Sequence, residues 1–93
     1  MDISFDPEKD DELIGRRGIG FEEVMSLFLS PYYVEPNDTP YEGQWKAVGF
    51  VDRKLWTLIY EDLTDDIGPL RWLVTFWPSD KVEQERYFKN AKG

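Results

Sequence analysis

The sequence predicts an α+β domain: two N-terminal helices, a four-stranded antiparallel sheet and a C-terminal helix. Three observations predict it. Residues 21–29 carry an apolar stripe at helical spacing. Four short runs rich in apolar and aromatic residues follow, separated by turn residues. A helix start bearing Pro and Asp stands near each end of the chain.

Asp6-Pro7-Glu8 opens the first helix. Asp6 caps free backbone N–H groups, Pro7 suits the first helical position, and Glu8 favours the positive end of the dipole. This helix is predicted to reach about Ile14 and to end at Gly15 or Gly18. In the second helix Phe21, Val24, Met25, Phe28 and Leu29 fall at i, i+3, i+4, i+7 and i+8, a single core-facing stripe. Glu22 and Glu23 sit in its first turn, and Ser30-Pro31 stops it. Tyr32-Tyr33-Val34 predicts a short strand, ended by Pro36-Asn37-Asp38. Gln44–Val51 and Leu55–Tyr60 predict two more, joined by Asp52-Arg53-Lys54 as a tight hairpin connection. Glu61 to Pro69 reads as an acidic loop. Leu70 to Trp77 predicts a fourth strand, apolar on both faces and therefore central or covered by helices. Pro78-Ser79-Asp80 starts a polar last helix that reaches about Asn90, after which Ala91-Lys92-Gly93 is expected to fray.

With 93 residues, 41% of them hydrophobic, residues 1–93 suit one compact domain around a single core. Four Trp, five Tyr and six Phe supply large buried area for so short a chain. The absence of cysteine rules out a disulfide framework, a thiolate nucleophile and a zinc–thiolate site. The absence of histidine removes the commonest general base near neutral pH and the commonest metal ligand. The acidic N-terminus has no apolar signal-peptide core, and no apolar run approaches the ~18 residues of a membrane span. A cytoplasmic protein with no membrane partner is the expectation.

Nineteen acidic residues against eleven basic ones give a formal charge of −8. Such a field repels phosphate backbones and attracts basic surfaces; the same charge also serves solubility alone. Two clusters concentrate it. Glu8, Asp10, Asp11 and Glu12 crowd the first helix, opposed there by Lys9, and Glu61, Asp62, Asp65 and Asp66 crowd the predicted loop. Neither has the alternating ligands and central glycine of a calcium loop, so no metal and no cofactor is expected. These eight carboxylates are candidate partner-binding residues, with a solvated surface as the plainer reading. Two acidic patches on a small domain can imitate the phosphates of a nucleic acid. Some inhibitors of nucleic-acid-binding enzymes do so, including several phage-encoded anti-CRISPR proteins, an analogy at the level of charge.

Trp45, Trp56, Trp72 and Trp77 all fall on predicted strands. They read as a base-stacking platform or as core and interface packing, and the acidic background favours packing. Trp72 and Trp77 stand at an odd spacing on one strand, which predicts aromatics on both sheet faces, one of them a partner patch.

The run Phe5-Asp6-Pro7-Glu8-Lys9, followed by Arg16-Arg17-Gly18-Ile19-Gly20-Phe21-Glu22-Glu23, resembles the opening of the BrnT family, small ribonuclease toxins of bacterial toxin–antitoxin pairs. Phe28, Gly49, an apolar strand closing in Tyr60, and Glu83 with Tyr87 continue the resemblance as far as Tyr87. It implies a BrnT-like fold, ribonuclease activity and a cognate antitoxin. The polar positions of the family's active surface depart from the pattern. Its usual Lys-His-Gly is here Arg16-Arg17-Gly18, so Arg17 replaces the histidine. An arginine before the glycine of the next strand is here Gln44. A late Ser-Ala-Arg is here Thr75-Phe76-Trp77, so Trp77 replaces that arginine.

Ribonuclease chemistry of this kind must activate a 2′-hydroxyl, stabilise an anionic phosphorane and protonate a leaving oxygen. Arginine can stabilise the anion, but its pKa is too high for a base. Arg16 and Arg17 can clamp a phosphate, which leaves proton transfer to Lys9, Glu42 or Tyr60; the plainer reading of the arginines is a solvated helix-end pair. The leading expectation is a non-catalytic binding or inhibitory protein on a BrnT-like fold, turned against a basic, nucleic-acid-binding partner. The alternative is a divergent ribonuclease toxin that cleaves RNA through Lys9, Arg16, Arg17, Glu42 and Tyr60 and is held by an antitoxin.

Overall fold

Ile3 and Phe5 alternate with Asp2 and Ser4, and this brief run forms a strand that the sequence pattern above omits. In the computed structural model, which describes residues 2–37 and 43–91, nine segments follow in order. They are β1 (Asp2–Phe5), α1 (Pro7–Arg17), α2 (Phe21–Val24) with its 3-10 continuation (Met25–Leu29), β2 (Tyr32–Pro36), β3 (Gln44–Val51), β4 (Lys54–Asp65), β5 (Gly68–Pro78) and α3 (Lys81–Asn90). Among the described residues five strands form one sheet in the order β1-β5-β4-β3-β2. The class is α+β, as predicted, but the sheet is mixed rather than four-stranded and antiparallel. β1 runs parallel to β5, with Asp2 opposite Leu70 and Phe5 opposite Leu73. A parallel partner so remote in sequence leaves no local turn signal to read.

Helix α1 begins as its composition dictates. Asp6 accepts from the Glu8 N–H at 2.9 Å, and Pro7 occupies the first turn. The helix passes Gly15 and ends at Gly18, whose φ of 83° is left-handed and whose N–H returns to the Ile14 carbonyl. α2 keeps α-helical winding only to Val24, and Met25–Leu29 tightens to three residues per turn. The buried set is therefore Phe21, Val24 and Leu27, at intervals of three. Leu29, placed by the α-helical stripe in the core, is 88% exposed instead.

The β3–β4 hairpin turns on Asp52-Arg53, with Asp52 at a left-handed φ of 55°, and Lys54 already pairs with Val51. The stretch read as an acidic loop is a second hairpin. β4 continues to Asp65, and β5 begins at Gly68. Cross-strand pairing of Leu63 with Leu70 and Asp62 with Arg71 holds it, against the low strand preference of the carboxylates.

The helices α1, α2 and the 3-10 segment cover one face of the sheet. Leu13, Phe21, Val24 and Leu27 pack there on Ala47, Trp56, Leu58, Tyr60, Leu73 and Phe76. Gly49 lets β3 pass beneath the 3-10 segment; a Cβ there would lie 3.2 Å from the Cβ atoms of Leu27 and Tyr32. On the other face α3 packs on β2 and β3, where Tyr87 meets Val48, Leu55, Tyr33 and Phe50.

A β-bulge sets which side chains share a face. Ile59 pairs with Thr75 and Tyr60 with Leu73, so Val74 is an extra residue. Trp72, opposite Glu61, and Trp77, opposite Thr57, consequently lie on the same α3-bearing face. The odd spacing alone predicts opposite faces; the bulge reverses that. Among the described residues no helix is long and apolar enough to cross a membrane.

Candidate functional site

The candidate catalytic residues occupy separate places. Lys9 and Arg16 both reach Glu12 on α1, with Lys9 Nζ 3.7 Å from Oε2 and Arg16 Nη2 donating to Oε1 at 2.7 Å. Arg17 is exposed in the last turn of α1. Tyr60 lies inside the sheet on β4, 4% exposed, beneath Phe28 and Arg71. Burial pushes its phenol above the usual value of 10.0, with Arg71 opposing the rise. It therefore keeps its proton at neutral pH. Among the described residues no hydrogen bond, ion pair or ring contact joins Tyr60 to Lys9, Arg16 or Arg17. Glu42 lies outside the described residues.

The acidic candidates divide into structural and free groups. Asp10 turns inward, and its Oδ1 accepts from the Phe21 N–H at 2.7 Å, so a residue of α1 satisfies the opening of α2. Gly20 makes that approach possible: a Cβ there would lie 2.7 Å from the same oxygen. Glu12 is paired with Lys9 and Arg16. Asp62 grips Arg71 in two hydrogen bonds, of 2.8 and 3.0 Å. Glu61, on the opposite face of β4, accepts from Gln44 Nε2 at 3.0 Å. Asp65 contributes backbone to β4, and its side chain lies outside the described residues. Glu8, Asp11 and Asp66 are exposed, as are Glu22 and Glu23 at the start of α2, and none of these five makes an ion pair among the described residues. No group of three or more carboxylates there can hold a metal ion.

Three arrangements escape the sequence reading. The first is a stack on the α1–α2 face. Arg71 lies 4.3 Å over the Tyr60 ring and 5.0 Å over the Phe28 ring, fixed by Asp62. Asp62 and Arg71 face each other across a hairpin that reads in sequence as a loop, so nothing there marks the stack. The second is a buried carboxylate, Glu83, 5% exposed. It accepts from Trp77 Nε1 at 3.0 Å and from the Asp80 N–H at 2.9 Å, and it pairs with Lys46 at 3.4 Å. Asp80 and Glu83 form a reciprocal capping box, a signal visible in their spacing. Trp77 thus serves α3 and faces away from α1. The third is an apolar groove of about 230 Å³ between β1 and the 3-10 segment, lined by Ile3, Glu22, Met25, Ser26, Phe28 and Leu29.

No protein-family model matches the chain, and no curated protein matches its sequence significantly.

Proposed function

We propose that the chain is a non-catalytic binding or inhibitory protein on a BrnT-like scaffold, directed at a basic, nucleic-acid-binding protein partner. Its carboxylates take the place of nucleic-acid phosphates. The observation that carries this reading is the excess of exposed carboxylates without ion pairs among the described residues, Glu8, Asp11, Glu22, Glu23 and Asp66 among them. Lys9 and Arg16 meanwhile share Glu12, and Arg71 is paired with Asp62. Within a net charge of −8, that distribution steers a cationic surface inward and speeds its capture.

The ribonuclease reading has one observation in its favour. Lys9, Glu12 and Arg16 share one face of α1, which brings two cations and a carboxylate together. Long single-stranded RNA incubated with the purified chain, beside a folded Arg16→Ala/Arg17→Ala variant, separates the two readings. The inhibitor reading expects intact RNA from both. RNA cut by the parent and spared by the variant would establish a toxin and overturn it.

A further inference from the structure

The 3-10 winding that buries Leu27 turns Leu29 outward, 88% exposed, beside the half-buried Met25 and Phe28. Across from them Ile3, 42% exposed, stands on β1. Four large apolar side chains thus wall a groove whose polar lining is Glu22 and Ser26, and Asp2 and Glu23 flank that lining in sequence. No Lys or Arg lines it among the described residues. Arg71, in register with Ile3, is held by Asp62.

We propose that this groove docks an extended, lysine- or arginine-rich segment of the partner protein, which inserts large apolar side chains between β1 and the 3-10 segment, an assignment that rests on the basic-partner reading above. Three features select that occupant. At about 230 Å³ the groove falls below the roughly 300–1,000 Å³ of small-molecule pockets, and so suits side chains rather than a whole ligand. β1 is an edge strand, so an extended segment can pair along it while alternate side chains enter the groove. The acidic surroundings complement a cationic segment, whereas a second copy of a chain with charge −8 is repelled.

The test uses short synthetic peptides titrated into isotope-labelled full chain at low salt, followed by amide NMR shifts. One peptide alternates lysine with leucine, a second lysine with serine, a third glutamate with leucine. The Lys/Leu peptide is expected to shift Ile3, Met25, Phe28 and Leu29, and Leu29→Lys to weaken its binding at least about tenfold. The Lys/Ser peptide should bind more weakly and spare those amides. Since Leu29 is exposed, that variant retains the fold, which its own spectrum verifies. Shifts confined to the α1 carboxylates or the β4–β5 turn, with Leu29→Lys indifferent, would overturn the groove and leave the basic-partner reading standing. No binding of either cationic peptide would overturn both. Equal binding of the Glu/Leu peptide would overturn the charge argument, and self-association of the free chain lost in Leu29→Lys would make a second copy the occupant.

Discussion

Asp10 belongs to α1 by position and to α2 by function. Its carboxylate is the acceptor for the Phe21 N–H, the first of the backbone donors that α2 leaves without a helical partner. Asp10→Ala is expected to cost about 1–2 kcal/mol in urea unfolding, and Asp10→Asn, which keeps an acceptor oxygen, clearly less. Equal loss from both would show that charge, not the hydrogen bond, matters there. Tyr60 makes a second prediction. Its folded-state pKa lies above the unfolded value of 10.0, because burial disfavours the phenolate. Below pH 10 both states hold the proton and this contribution is fully present. Above it the unfolded chain ionises first, so stability falls as pH rises towards the folded value. Tyr60→Phe should make unfolding free energies less steep above pH 10. A residual slope is expected from Tyr33, raised chiefly by its hydrogen bond to Glu35. An unchanged slope in Tyr60→Phe would remove Tyr60 from the account.

At the level of elements, the bulge absorbs the extra residue Val74, so that Trp72 and Trp77 share the face that α3 covers. Deleting it restores strict alternation across the β4–β5 pair. Trp72 and Trp77 then stand at an even spacing and keep the α3-bearing face while Leu73 stays opposite Tyr60, so the deletion is expected to cost less than about 2 kcal/mol. Thermal unfolding measures the cost, and an altered tryptophan fluorescence would show that Trp72 or Trp77 had left that face. The same strand shows what a sequence can and cannot disclose. Asp6, Pro7, Asp80 and the Pro31 stop act on their immediate neighbours, and the helix starts, β2 and β3 were legible from them. Val74 is an ordinary strand residue, and nothing local marks it as surplus. The acidic tip of the β4–β5 hairpin was misread because its carboxylates disfavour strand, and only the facing Leu70 and Arg71 override them. Of the candidate site, the surplus of carboxylates was legible. Which of them are already occupied was not, since the partners of Asp10, Glu61 and Asp62 come from other elements.

Over the whole molecule, charge is spread unevenly along the sheet. β4 starts at Lys54, beside Arg53, and runs out to Asp62 and the Asp66 turn. With a net charge of −8, self-repulsion works against the compact state, and added salt screens it. Raising salt from near zero to molar sodium chloride is expected to stabilise the chain by on the order of 1 kcal/mol, roughly 4–8 °C in Tm. A lowered Tm would mean that the ion pairs of Glu12, Glu35, Asp62 and Glu83 outweigh the general repulsion.

The parallel pairing of β1 with β5 also fixes an order of events. Most of the described chain lies between Asp2 and its partner Leu70, so the contact closes a long loop and forms slowly. Until β5 has left the ribosome, β1 has no strand to lie against, and Ile3 has no fixed position opposite Leu29. A half-made chain would already carry its carboxylates but lack a walled groove. Capture of a partner would then certify that synthesis had passed the last strand.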